Sequence, residues 1–284
     1  MGRKHNVAMH PRLALDTSRK SFLLTASIMK TPILFKTLIV ALLFLLPASA
    51  SFADNADDLV KKGDVYDQKF NPTEALKYYL PAEKMEPENV DVLLRIARQY
   101  RHQTADTANV NEKIRLSGIA LSYAKRAVAL APKSSEAHLS VAICHAKSLE
   151  FYTNKEKMEA LRQVKIFADK AVSLDPANDL AWYILGRWHQ RVADLGTLKR
   201  KVAEMAYGGL PKASNDDAAK CYNKALSINP NRSPYLVDLG ITYAAMAKLD
   251  DAKKFIQKGL SMPSIGKDDP DAKKRGNETL KAMN

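Results

Sequence analysis

Cysteine is nearly absent from this chain: Cys144 and Cys221 are the only two in 284 residues. That excludes a disulfide framework and any Cys-x-x-Cys zinc or redox motif, and it leaves room for one bridge at most. Both cysteines lie inside helical patterns among small apolar residues, where buried free thiols are expected. Other chemistry-bearing motifs are missing as well. There is no glycine-rich phosphate loop, no His-Glu-x-x-His and no serine elbow. The apolar run Leu38–Leu46 has nine residues, about half of the roughly 20 that a membrane-spanning helix needs. No alternating apolar run is long enough to read as a strand.

Charge is in excess, yet not where a nucleic-acid surface would need it. The net charge is +13, of which residues 1–53 supply +6 through seven Lys/Arg and the single acid Asp16. After residue 53 no dense Lys/Arg patch interleaved with aromatics appears, so no nucleic-acid partner is expected. The basic N-terminus reads instead as an address. From Met29 the sequence MKTPILFKTLIVALLFLLPASASFA has a short basic start, an apolar run, Pro47, and small residues with Ser51 and Ala53 spaced as at a signal-peptidase site. It predicts a signal peptide over 29–53, cleavage near Ala53 and export to the periplasm or medium. Residues 1–28 then read as an over-extended or disordered leader ahead of a true start at Met29. The same stretch admits an uncleaved membrane anchor from Pro32 to Ala53 with Lys36 snorkelling. It also admits an organellar (mitochondrial) transit sequence, being poor in acids and bearing Arg, Ser and Thr.

What the chain does have is a repeat. Leu59, Gly63, Tyr66, Ala75, Tyr79, Ala82 and Pro87 fill positions 4, 8, 11, 20, 24, 27 and 32 of a unit that starts at Ala56. These are the signature positions of the tetratricopeptide repeat. Large residues face small ones so that helix A meets helix B closely, and proline stops helix B. The unit departs only at position 7, which is Lys62. A second unit starts at Val90 (Leu93, Ile96, Ala97, Tyr100, then Ala120, Ala127, Pro132), with 11 residues inserted between its helices. A third starts at Ser135 (His138, Val141, Ala142, His145, then Val164, Ala168, Ala171, Pro176), with ten inserted. A fourth starts at Asp179 (Trp182, Leu185, Gly186, His189, then Ala218, Tyr222, Ala225, Pro230), with about 20 inserted. A fifth starts at Ser233 (Leu236, Leu239, Gly240, Tyr243, Ala252), with Pro263 one place early.

One unit cannot bury its own apolar face, so the reading is an all-α solenoid of stacked helical hairpins with a concave groove. The repeat domain spans 54–266, with units near 56–89, 90–134, 135–178, 179–232 and 233–266, and 267–284 form a capping helix from about Pro270 or a tail. Trp182 is then the signature's own tryptophan, a packing residue. His138, Cys144 and His145 are the nearest thing to a metal cluster, but His138 and His145 occupy packing positions, so no metal is expected. The acid pairs Asp57-Asp58, Asp216-Asp217 and Asp250-Asp251 fall at helix starts or in turns, where they complement the helix dipole. No enzyme and no cofactor are expected.

In this repeat, positions 2, 5, 9, 12 and 13 of helix A face the concave side. Position 5 is apolar throughout: Val60, Leu94, Leu139, Tyr183, Val237. Position 9 runs Asp64, Arg98, Ile143, Arg187, Ile241, and positions 12 and 13 of the middle units add Arg101, His102, Lys147, Gln190 and Arg191. An apolar floor with basic walls fits an acidic amphipathic protein segment or a lipid with an anionic head group. A pattern for clamping a C-terminal carboxylate is not present, its places being taken by Val60, Asp64, Arg95 and Glu136. The fourth insertion predicts an extra helix from about Thr197 to Tyr207 bearing Lys199, Arg200 and Lys201. It is a candidate contact for an acidic partner or membrane surface, or simply a solvated face. The oligomeric state is not legible.

Over whole blocks from Asp91 to Met262 the chain resembles the regulator of microtubule dynamics family. The likeness rests on Asp91-Val92-Leu93 with Arg95, Ala97, Arg98 and Tyr100, on the inter-helix insertions, and on Leu185-Gly186-Arg187-Trp188. It continues through Val192-Ala193, Arg200-Lys201, Ala203, Tyr207-Gly208, Pro211 and Ala213-Ser214. Arg187-Trp188 lies outside the general repeat signature and is the more specific marker. The resemblance implies a non-enzymatic helical domain that works by association, in a family linked to microtubules and organelle membranes. A secretory leader departs from it, since an exported protein would not meet cytoplasmic microtubules.

Overall fold

Proline and asparagine punctuate the chain, and the helices follow that punctuation in the computed structural model, which describes residues 55–283. The leader and signal peptide read over 1–53 lie outside the described residues. Helix α1 (Ala56–Asp67) pairs with α2 (Pro72–Met85), and α3 (Val90–Asp106) with α4 (Val110–Leu130). Next, α5 (Ser135–Ser148) pairs with α6 (Asn154–Leu174), and α7 (Asp179–Ala193) with α9 (Asn215–Ile228), while α8 (Gly196–Tyr207) is looped out between them. Then α10 (Ser233–Ala245) pairs with α11 (Leu249–Ser261), and α12 (Asp269–Ala282) lies against both. The chain is therefore an all-helical tetratricopeptide-type solenoid, with no strand among the described residues.

The turns between units share one chemistry. Helices α2, α4 and α6 close with the N–H of Glu86, Ala131 and Asp175 donating to the carbonyls of Ala82, Ala127 and Ala171. Pro87, Pro132 and Pro176 follow at once and have no N–H to continue the ladder. Two residues later the side chains of Asn89, Ser134 and Asn178 accept the first free N–H groups of the next helix. Within each unit the small positions bring the helices together: Ala75, Ala82, Ala120, Ala127, Ala168, Ala171, Ala218, Ala225 and Ala252 are all fully buried. A Cβ placed on Gly186 would sit 2.7 Å from the Tyr222 ring, and one on Gly240 would sit 2.9 Å from the Ala252 carbonyl.

The insertions in units two and three do not form loops. They lengthen the helices instead: α3 runs on to Asp106, and α4 and α6 each reach 21 residues. The inserted sequences keep an apolar stripe in helical register, so extending a helix costs less than opening a loop. In unit four the insertion does contain the extra helix. Arg162 of α6 donates to the carbonyls of Tyr207 and Gly208 at the end of α8. Both cysteines are buried and free. Among the described residues no helix is long and apolar enough to cross a membrane.

Candidate functional site

Helix-A residues three and four apart share a face, and in units two, three and four those faces converge. Arg98, Arg101 and His102 on α3, Ile143 and Lys147 on α5, and Tyr183, Arg187 and Arg191 on α7 line one cavity of about 850 Å³. Leu149, Leu161, Ile184 and Trp188 contribute apolar lining. Trp188 is buried, its Nε1–H donating to the Leu161 carbonyl at 2.7 Å, and the Lys165 ammonium stands over its ring. Trp182 is only half-buried and packs against the same core, its Nε1–H donating to the Pro176 carbonyl at 3.0 Å.

The far wall comes from the C-terminus. Residues 265–269 form a turn in which Asp269 accepts the N–H groups of Ile265 and Gly266 at 2.9 and 3.0 Å. This turn and Arg275 of α12 border the cavity. It is tied back to units two and three: Lys267 donates to Asp106 at 2.7 Å, and Lys147 donates to Asp268 at 2.6 Å. At the base of this wall is Asp238 of α10, 1% exposed. Its carboxylate accepts the Tyr183 hydroxyl at 2.8 Å and Arg275 Nη2 at 2.8 and 3.0 Å, and Arg187 Nε lies 3.7 Å away.

The charges around the cavity are unevenly satisfied. Arg98 pairs with Asp67, and Arg95 with Asp64. Tyr183 and Asp238 hold Arg187 charged, above its ordinary value, against burial that works the other way. Arg101 donates to Ser140 Oγ at 2.9 Å and to the Cys144 sulfur, neither of them charged. Arg191 is exposed and makes no ion pair among the described residues. Burial, Arg101 and Lys267 push His102 down to about 4, so it is neutral at pH 7. Burial opposes ionisation of Asp268, but Lys147 and Arg187 still hold its carboxyl below the usual range. The arrangement has a positive centre with spare hydrogen-bond donors and offers no nucleophile paired with a base.

Of the residues that the sequence places in the groove, nine border the cavity: Arg98, Arg101, His102, Ile143, Lys147, Tyr183, Arg187, Gln190 and Arg191. Apart from Tyr183, the apolar position-5 row does not line it. Leu139 and Val237 are buried in the core, the latter because α12 and α11 approach it closely through Gly276 and Gly259. Val60 packs in the first hairpin's core and Leu94 beside Ala127 and Ala137, while Ile241 is half-buried away from the cavity. Arg200 and Lys201 sit on α8, away from the cavity lining, with Lys201 exposed; the side chain of Lys199 lies outside the described residues. Sequence reasoning missed Asp238 and the 265–275 wall. A lone acid inside PYLVDLGITY was the available signal for the former.

His138 Nε2 is bonded to the Pro132 carbonyl at 2.9 Å, a packing arrangement. Among the described residues no group of three His, Cys, Asp or Glu side chains is arranged to hold a metal ion.

Comparison with known proteins gives this geometry its relatives. A thermophilic TPR protein of Thermus thermophilus superimposes with a TM-score of 0.58 at 17% identity, over 79% of this chain and 98% of its own. The crystal structure of the APC/C hetero-tetramer Cut9–Hcn1 gives a TM-score of 0.58 at 14% identity, over 88% of this chain and 40% of that one. At these identities the likeness is one of fold. Regulator of microtubule dynamics protein 2 of Bos taurus is 27% identical over 189 residues, covering 66% of this chain and 46% of the relative. Regulator of microtubule dynamics protein 1 of Mus musculus is 28% identical over 195 residues, covering 68% and 64% respectively. The chain thus spans about half to two thirds of the length of these curated relatives. The sequence model described as regulator of microtubule dynamics protein 1-3 matches residues 52–284, and on that match the chain belongs to this family.

Proposed function

We propose that the chain is a non-enzymatic scaffold whose concave cavity binds a segment of a partner protein. The observation that carries this is the convergence of Arg101, Arg187 and Arg191 beside Ile143, Tyr183 and Trp188 around about 850 Å³. Such a site offers apolar contact and positive charge to one ligand. The relatives named as regulators of microtubule dynamics support a role exerted through association, and microtubule-bound proteins are the first partners to test. Export through the N-terminal segment is a separate proposal, checked by sequencing the mature N-terminus.

Arg98 and Arg187 are poor test positions because each is engaged with an aspartate of the fold. Arg191 is exposed and not ion-paired, so Arg191→Glu reverses charge at the site and leaves the fold in place. A photo-crosslinking side chain at Ile143 of the full chain is expected to capture a partner segment, identified by mass spectrometry, and Arg191→Glu should reduce the yield at least several-fold. Capture that is indifferent to Arg191→Glu, or native mass spectra showing a stoichiometric lipid in place of a protein segment, overturns the reading.

A further inference from the structure

In a solenoid each unit touches its neighbours, so a contact from the last unit back to the second and third needs a cause. The turn at 265–269 makes two such contacts, Lys267 with Asp106 and Lys147 with Asp268, across 161 and 121 residues of sequence. Among the described residues no buried apolar cluster joins this turn to α3 or α5, and these ion pairs carry its attachment to them. Both pairs are partly exposed, with Asp106 and Asp268 side chains about half accessible. Pairs of this kind hold weakly. The segments on either side are fixed: α11 packs through Ile256 and Gly259, and α12 through Ala272 and Gly276, all buried. The turn's end is held by the buried Asp269, which faces Arg232 at 3.9 Å, but toward units two and three the turn is weakly tied, and it forms one wall of the cavity between two firm anchors.

Its composition is informative too. It sets Ile265 and the carboxylate of Asp268 against the cavity, and Asp268 uses Lys147 and the field of Arg187. A ligand for the same basic wall would have to offer what Asp268 offers. We propose that residues 265–269 are a latch across the cavity mouth, and that the partner segment is an acidic turn, a carboxylate pair close to an aliphatic residue, which takes Lys147 from Asp268 as the latch opens. This rests on the cavity being the binding site and adds the class of ligand and its competitor.

The test uses the full chain and, as probe, a fluorescent synthetic peptide copying residues 264–272, SIGKDDPDA. Lys267→Glu places like charges at Asp106 and opens the latch; adding Asp106→Lys restores an attractive pair with the signs exchanged. Hydrogen exchange at amides 264–268 should quicken in Lys267→Glu and return to the starting rate in the double variant. The peptide should bind Lys267→Glu about two- to fivefold more tightly than the unaltered chain, as expected for release of a weak competing pair. The double variant should again bind as the unaltered chain does. Equal peptide affinity in all three proteins overturns the latch while leaving the cavity a binding site. Quickened exchange with no peptide bound to any variant overturns the acidic ligand and, with it, the cavity as the site for such a segment.

Discussion

Gly240→Ala and Gly118→Ala are the same chemical change in the interior of two helices, and the structure gives them opposite signs. At Gly118, on the exposed face of α4, an added Cβ meets nothing within 4 Å. Only backbone entropy and helix propensity count there, and alanine should stabilise by about 0.5–1 kcal/mol. At Gly240 the same atom would come within 2.6 Å of Ile256 Cγ1 and 2.9 Å of both the Ala252 carbonyl and the Ile256 amide. Two of these are backbone of α11, so no side-chain rotation relieves the clash and the hairpin must part by roughly half an ångström at an ordinary contact distance of about 3.5 Å. Overpacking of this kind costs about 1–3 kcal/mol, and propensity returns about 1, leaving a net loss of up to about 2 kcal/mol. The propensity gain is common to both, so the two variants should differ by about 1–3 kcal/mol, or several degrees in melting temperature at about 2–4 °C per kcal/mol. Urea titration followed by circular dichroism reads the midpoint and the slope together, and the slope should be unchanged. If Gly240→Ala is stabilised as much as Gly118→Ala, the close approach of α10 and α11 is not what selects glycine there.

Buried groups give three further expectations. Asp238→Ala strands Arg275 and the Tyr183 hydroxyl and should cost about 3 kcal/mol in urea midpoint, the lower end of the range for a broken buried pair because Arg187 and Arg275 still reach water. Trp188→Phe removes the only N–H that the indole gives to the Leu161 carbonyl and should cost about 1–3 kcal/mol, with the helical circular dichroism signal kept. His102 and His145 are both held down to about 4 by burial, from an ordinary 6.5. The unfolded chain therefore takes up protons first, and stability present above pH 6.5 should fall as the pH drops toward 4, by an amount on the order of 3 kcal/mol per histidine. Midpoints at pH 7.5 and 4.5 measure the fall, and replacing both histidines by glutamine should remove most of it.

The fold was legible because the repeat writes its packing into sequence: a bulky residue and a small one at fixed spacing, then proline. Trp182 and Gly186 fell into register that way, whereas α8, outside the repeat, was legible only from the helical pattern of its own insertion. The arginines at positions 9, 12 and 13 were legible for the same reason, since register fixes which way they face. What could not be read was anything without a period. Leu139 and Val237 share the register of Tyr183, yet burial depends on what neighbouring helices place over them, and Gly276, which brings α12 onto Val237, lies in a polar segment, read as a capping helix or a tail, with no repeat register to show what it packs against. The Asp238–Arg275 and Asp268–Lys147 pairs join residues 37 and 121 apart, and charge matching at such range has no local signal. That the insertions of units two and three lengthen their helices was not legible, because alignment counts residues between signature positions and says nothing of their own helicity.

A linear stack of hairpins can fray from either end, unit by unit, with little notice taken in the middle. Joining Lys267 to Asp106 and Asp268 to Lys147 turns units two to five into a loop of contacts. While that loop is shut, the last hairpin cannot peel away without also loosening the second and third, so unfolding from the C-terminal side becomes a shared event. Once it is open, the last hairpin can fray while only its neighbour in unit four, with which it shares a core, takes notice.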